Sequence, residues 1–432
     1  MNYTTTSIKH GRPMKTLTLQ IHHNDLGWLD AATLAFKSKR NIRLEYDIDY
    51  AAEYIGRRDR FALSVAIPVD LGVHDGELPA FVHDLIPQGE PLRRLLSRYS
   101  LQDENDYEAI LSTIPLAPPG NIRVKEPWAE IEARRPSYQA HGFTRSDITE
   151  RNRDFIDYME SSGAPIGGTS GAGGGSPKFL LREDKKGRLH AEGWLDDHKT
   201  TKAFLVKLPY SDSENSRVLA HVEKIYYDLL RELPLVTGDP LEITGDTLFI
   251  TRFDRIRTPL GTLNYHGLES LYSAHSVNQY GARLRHEDNI SLLLSVSNSP
   301  SENIFEYLKR DFVNQMLANT DNHGRNTSLL KKDHDVRLSP IYDVTAMQFF
   351  MGDIITELTR WDEEHQNLTA RVDWLAQSTQ LMRDEIVVEL KKFARQCLHL
   401  EKKMTAFGIP RDIIDRSRPA RDSILEAMET LA

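Results

Sequence analysis

Asn319-Thr320-Asp321-Asn322-His323-Gly324-Arg325-Asn326, followed by Ser339-Pro340-Ile341-Tyr342-Asp343, is the stretch on which the reading of this chain turns. It sets an aspartate, an asparagine five residues later and a second aspartate in one short region. One carboxylate can accept the proton of an attacking hydroxyl. An amide oxygen and a second carboxylate can hold magnesium, a cation that prefers oxygen donors. A lone Asp-x-x-x-x-Asn is common by chance. Here it encloses His323, follows a helical run at 305–317 and precedes strand-like Thr327-Ser328-Leu329-Leu330. The set therefore reads as a phosphoryl-transfer site. Asp321 is the candidate base, Asn326 and Asp343 are the candidate metal ligands, and His323 completes the catalytic set by shaping the loop.

Such a site needs a phosphate cradle and a cation upstream. The most glycine-rich segment runs from Gly163 to Ser176 and leads directly into strand-like Lys178-Phe179-Leu180-Leu181-Arg182. Backbone amides reach phosphate oxygens only where side chains are absent. The segment is not a P-loop, because Pro177 stands before Lys178. It is not a dinucleotide fingerprint, because the pattern begun at Gly171 breaks at Ser176. Nor is it a nucleophile elbow, because Ala172 follows Ser170-Gly171. Composition alone would make it a flexible linker. The strands that follow favour a kinase-like cover over ATP instead. In the second of them, Phe204-Leu205-Val206-Lys207-Leu208, a lysine sits among apolar neighbours and needs an anionic partner. ATP phosphates and a helix carboxylate would supply it, with Glu223 the candidate and Glu214 its competitor.

Composition bounds the class. At 432 residues, with 40% hydrophobic and 27% charged content, the chain is a globular protein of more than one lobe. A net charge of −9 argues against a broad nucleic-acid-gripping face. The single cysteine, Cys397, excludes an intramolecular disulfide and a cysteine-rich zinc site. No apolar run suits a membrane helix and no secretory signal is seen, so a cytoplasmic location is expected. Period-two alternation predicts strands at 16–21, 42–46 and 61–67, then short helices over 79–113. The proline-interrupted 115–165 region reads as a connector with one helix near 146–162, Asp147 being its N-cap. A helix is expected at 215–233, a strand at 247–253, and one long amphipathic helix at 383–403.

These residues together resemble the HipA-type serine/threonine kinases, toxins of bacterial type II toxin–antitoxin modules. The resemblance rests on Leu26-Gly27-Trp28-Leu29, on Glu45-Tyr46-Asp47, and on Leu78-Pro79-Ala80-Phe81-Val82-His83-Asp84-Leu85-Ile86-Pro87-Gln88-Gly89. It rests further on Ser176-Pro177-Lys178, the Lys207 strand, Arg252-Phe253-Asp254-Arg255, Asn314 and the two catalytic segments. Family loops often read Ser-x-x-Gly-x-Gln-Pro-Lys, and this one is richer in glycine.

The resemblance implies an α+β, two-lobed protein-kinase-like (HipA-like) fold. A small N-terminal α+β subdomain would cover 15–125, a connector and small lobe 126–254, and a mainly helical large lobe 255–432. It implies ATP and magnesium as cofactors. Ser170, Gly171, Gly173, Gly174, Gly175, Lys178 and Lys207 would face the phosphates, and Ile250, Arg252 and Phe253 would form the adenine hinge. Ser170 would be the autophosphorylated serine, with Thr169 and Ser176 as rivals. The implied partners are a small helix-turn-helix antitoxin, a protein substrate such as an aminoacyl-tRNA synthetase, and DNA only through the antitoxin. Two other readings stay open: a co-repressor whose kinase activity is dispensable, and a small-molecule or lipid kinase.

Overall fold

The structure is a computed structural model that describes residues 15–139, 141–161, 178–209, 214–279, 281–346 and 359–431. The glycine segment, with Thr169, Ser170, Gly171, Gly173, Gly174, Gly175 and Ser176, lies outside the described residues.

Alternating apolar residues build the first sheet. Strands β1 (Lys15–His23), β2 (Gly27–Ser38) and β3 (Asn41–Tyr46) form an antiparallel meander. Helix α1 (Ile48–Tyr54) follows, with Asp47 capping it by accepting from the Asp49 and Tyr50 amides. Strands β4 (Val73–Gly76) and β5 (Ile122–Val124) complete the order β4-β3-β2-β1-β5. Leu17, Leu19, Leu34 and Leu44 point to one face. There α2 (Val82–Leu85), α3 (Glu90–Arg98) and α4 (Tyr107–Thr113) close a core of their own. The expected strand at 61–67 does not form. Its apolar residues are buried, but the backbone is irregular, with a single bridge between Ser64 and Ile67.

The connector holds more helix than its prolines suggested: α5 (Trp128–Tyr138), α6 (Arg145–Thr149) and α7 (Arg153–Ser161). Asp147 is not the N-cap. Thr144 caps α6, and Asp147 is the reciprocal third residue of a capping box.

The second sheet carries the order β7-β6-β8-β10-β9, from β6 (Lys178–Asp184), β7 (Leu189–Ala191), β8 (Thr200–Lys207), β9 (Glu242–Thr244) and β10 (Thr247–Thr251). Helix α8 (Glu214–Arg231) packs on it. Short ribbon β11 (Arg255–Arg257) and β12 (Leu263–Tyr265) leads to a third sheet, in which β13 (Gly267–Ser270) pairs β15 (Ser328–Lys332) and β15 pairs β16 (Asp335–Leu338). Short helix α9 (Leu271–Ala274) and the two-residue strand β14 (Leu284–Arg285) come next, and β14 pairs with β17 (Thr359–Arg360).

The large lobe is otherwise helical. Its helices are α10 (His286–Val296), α11 (Pro300–Met316), α12 (Leu368–Ser378), α13 (Arg383–Cys397), α14 (Leu400–Ala406) and α15 (Arg411–Glu429), and they share the largest core. The single helix expected at 383–403 is two, broken at Leu398–His399 so that Leu400 and Met404 turn back into that core.

Candidate active site

The cleft is built from the edges of two sheets. Registry places Lys178 of β6 directly opposite Lys207 of β8, so two like charges share one buried position. Such a pair is unfavourable unless anions face it. Lys207 Nζ donates to Glu223 Oε1 and to Asp343 Oδ1, each at 2.6 Å. Glu223 lies on the buried face of α8. The side chain of its competitor, Glu214, lies outside the described residues.

Burial sets the electrostatics. It would strip the proton from Lys207, but Asp343 and Glu223 outweigh it and hold the ammonium above its ordinary value. Burial would raise Asp343, yet Lys207 and Lys178 pull it well below the carboxylate range. Glu223 is pushed up by burial. Lys178 is lowered, first by burial and then by Lys207, and has no carboxylate within ion-pair distance among the described residues. One cation of the pair is thus matched by carboxylates at 2.6 Å and the other is not.

The loop of Asp321 and Asn326 meets this group from the large lobe. Asn326 Nδ2 donates to the Asp321 carbonyl at 2.9 Å and to Asp321 Oδ2 at 3.3 Å, closing the five-residue loop on itself. Asn326 Oδ1 is buried and has no hydrogen-bond partner among the described residues. An orphaned buried amide oxygen on the loop of Asp321 fits an oxygen-seeking cation. Asp343 takes a positive φ of 56°, which turns its carboxylate back toward Lys207. Burial, then the Asp343 charge, pushes Asp321 up to about 6. His323 is lowered to about 4 by burial and is neutral at pH 7. Its Nδ1 accepts from the Arg325 amide at 3.2 Å, which fixes the tautomer with Nε2–H toward Asp321 Oδ1, 3.4 Å away.

Between these groups lies a cleft with about 840 Å³ of open space. Leu180, Leu205, Ile250 and Phe253 give it apolar walls, and Lys207 and Asp343 stand at its polar end. Arg252 reaches the cleft by its backbone. Its guanidinium turns away into a buried network, with Nη1 donating to Glu192 at 2.9 Å and Nε and Nη2 to Asp254 at 3.0 and 2.7 Å. Arg255 donates to the same Asp254 at 2.9 Å. The Arg-Phe-Asp-Arg tetrad is therefore a brace behind the hinge strand, with Phe253 facing forward.

Three features of the site were not read from the sequence. Tyr342 donates to the Arg325 carbonyl at 2.6 Å and meets Ser328 Oγ at 2.7 Å, tying Asp343's turn to the loop. Asn322 clamps Thr359, donating to its carbonyl at 3.0 Å and accepting from its amide at 3.2 Å. Asp84 of the N-terminal unit accepts from Ser270 N and Oγ at the cleft wall. All three stood inside motifs already quoted, but nothing in a motif shows which side chain makes which contact.

A two-lobed kinase-like fold is what these elements define. The HipA-like C-terminal domain model matches residues 170–410 and the HipA N-terminal domain model residues 26–125, so the chain belongs to the HipA family. Among solved structures it is similar to HipA of Shewanella oneidensis MR-1, solved with HipB and operator DNA. Identity is 16%, coverage is 96% of this chain and 97% of that one, and the TM-score is 0.60. A likeness to the Helicobacter pylori proinflammatory kinase CtkA covers 53% of this chain and 90% of that one, at 12% identity and a TM-score of 0.33. No curated protein matches the chain. No described helix is long and apolar enough to cross a membrane.

Proposed function

We propose that this protein is a serine/threonine kinase of the HipA toxin type, transferring the γ-phosphoryl group of ATP to a hydroxyl on a protein. The observation that carries the reading is the meeting of Lys207 with Glu223 and Asp343, each at 2.6 Å, at a cleft that Lys207 and Asp343 line, with Asp321 near enough to feel the Asp343 charge and bonded to Asn326. Lys178 and Lys207 would hold phosphate oxygens. Asn326 Oδ1 and the Asp343 carboxylate would hold magnesium, which when bound neutralises charge on the triphosphate. Asp321, half-buried and raised toward neutrality, would orient the acceptor hydroxyl and take its proton at Oδ. His323 keeps that carboxylate in place. The backbone of Ile250–Phe253 would receive the adenine, and the glycine segment would cover the phosphates, with Ser170 as its autophosphorylation site.

The S. oneidensis HipA structure contains HipB and operator DNA. By that likeness we assign this chain a small antitoxin partner that carries the DNA contact, in keeping with the chain's net charge of −9. An aminoacyl-tRNA synthetase is the proposed protein substrate, growth arrest the consequence and the cytoplasm the site of action. The test is phosphate transfer from labelled ATP with magnesium, first to the protein itself and then to a proteome extract. Asp321→Asn and Asp343→Asn are expected to lower transfer by about 10³-fold or more, the scale for loss of a group acting in the transition state. Transfer that persists in both variants would refute the assignment.

A further inference from the structure

Arg325 stands apart from the other arginines of the interior. Eight arginines are buried among the described residues: Arg60, Arg123, Arg182, Arg252, Arg255, Arg310, Arg325 and Arg421. Six have a carboxylate within 4 Å. Arg60 donates to the His22 carbonyl at 2.8 Å and lies over the Phe61 ring. Among the described residues, Arg325 is the buried arginine that lines the cleft with no carboxylate within 4 Å, though its charge acts on buried Asp84. Asp84, the nearby acid on the cleft wall, has both oxygens engaged by Ser270.

What holds Arg325 is an amide. The side-chain carbonyl of Gln88, in the orientation that satisfies both groups, accepts from Arg325 Nη2 at 2.7 Å and Nη1 at 3.1 Å. Gln88 belongs to the Leu78–Gly89 motif of the N-terminal unit, which the phosphoryl-transfer site itself does not use. A neutral amide positions a guanidinium without cancelling its charge. Nε is buried with no hydrogen-bond partner among the described residues. A buried cation with donors to spare is costly unless an anion completes it. The planar fork of arginine suits the paired oxygens of a carboxylate or phosphate.

We infer that Arg325, aimed by Gln88, is a specificity residue of the cleft that receives a carboxylate or phosphate group carried by the phosphoacceptor. This rests on the kinase reading for the word acceptor, but the binding does not depend on transfer. The triphosphate is already provided for by Lys178, Lys207 and the Asn326–Asp343 pair. Arg325 shares the loop of Asp321, four residues further on, and lines the same cleft as Ile250 and Phe253; with the triphosphate's cations supplied elsewhere, its guanidinium is left for the acceptor. The N-terminal unit would then contribute to acceptor choice.

The test uses two fluorescent peptides with a central alanine in place of the acceptor serine, one flanked by glutamates and one by lysines. Binding is measured with magnesium and a non-hydrolysable ATP analogue at saturation. The glutamate peptide is expected to bind the wild-type protein about tenfold tighter than the lysine peptide, the scale of one charge-assisted hydrogen bond. Arg325→Met should abolish that preference, Arg325→Lys should retain part of it, and Gln88→Ala should weaken it. The last two keep the cation if the methionine variant fails to fold. Equal binding of the peptides, or an unchanged preference in Arg325→Met, would overturn the inference. So would a loss confined to the ATP analogue, which would place the guanidinium on the nucleotide. A selective peptide that is never phosphorylated once its serine is restored would leave this inference standing and count against the kinase.

Discussion

Asp321 titrates close to the working pH range. Its carboxyl sits at about 6, above its ordinary 3.8, because burial and the Asp343 charge both disfavour ionisation. A base must shed its proton before it can accept one. Transfer is therefore expected to fall about tenfold per pH unit below about pH 6 in kcat/KM, the parameter that reports the free enzyme. The same shift has a stability sign. The folded state holds this proton more tightly than the unfolded chain, so stability declines as pH rises from about 4 to about 6 and then levels. Asp321→Asn removes the ionisation, so it should unfold at higher denaturant than wild type at pH 8 by on the order of 2 kcal/mol while losing transfer. Equal denaturation midpoints at pH 8 would show that the site does not strain Asp321. The contacts among these residues were legible in sequence: Asp321 and Asn326, and Asp343 and Lys207, were each singled out by spacing or by an odd polar residue in an apolar strand, and each pair meets. Arg252 was read as lending its backbone to the hinge, and the structure shows where its guanidinium goes: to Glu192 and Asp254. Sequence shows that an arginine is present at the hinge, but not to which side of the strand it turns.

At the scale of elements, the catalytic loop is held by contact rather than by regular structure. Gly324 lies where a Cβ would fall 2.5 Å from Tyr272 and 2.7 Å from Leu284. Neither neighbour can yield freely, because the Tyr272 hydroxyl is tied to the Ala282 carbonyl at 2.7 Å and Leu284 belongs to β14. Gly324→Ala is expected to cost about 1–3 kcal/mol by overpacking. It should also lower kcat by about 10²-fold, because displacing the loop moves Asp321 from its acceptor. A variant with wild-type melting and full turnover would show that the loop has slack. This close approach explains why the elements were read unevenly. Strands of strict alternation, such as β1 and β3, and the apolar spacing of α8 carry their own periodic signal. The segment 61–67 alternates equally well, yet it folds as an irregular chain because its partner is the large lobe rather than another strand. The break between α13 and α14 is likewise set by which side chains reach the core, and no proline or glycine marks it.

At the scale of the whole molecule, one buried ion pair joins the N-terminal unit to the large lobe. Glu269 on β13 and Lys331 on β15 meet at 3.0 Å, both almost fully buried. Lys331 also donates to the Ala62 and Leu63 carbonyls at 3.0 and 3.3 Å, and Glu269 accepts from the Val65 amide at 3.0 Å and from Ser64 Oγ. The irregular 61–67 segment thus replaces missing strand hydrogen bonds with charge-assisted ones across the interface, which is why its backbone can be buried without a sheet. Removing one partner leaves the other buried and unpaired. Lys331→Met and Glu269→Gln should each cost on the order of 3–5 kcal/mol in denaturant unfolding. The double variant should cost clearly less than the sum, because the second change removes the charge that the first exposed. Hydrogen exchange separates a joint from a merely local contact. If the pair seats the unit, both single variants should raise exchange across 60–66 and also around Asp84–Gln88, whose contacts to Ser270 and Arg325 lie along the same interface. Faster exchange at 60–66 alone, with Asp84–Gln88 as protected as in wild type, would show that the two contacts hold the units together independently.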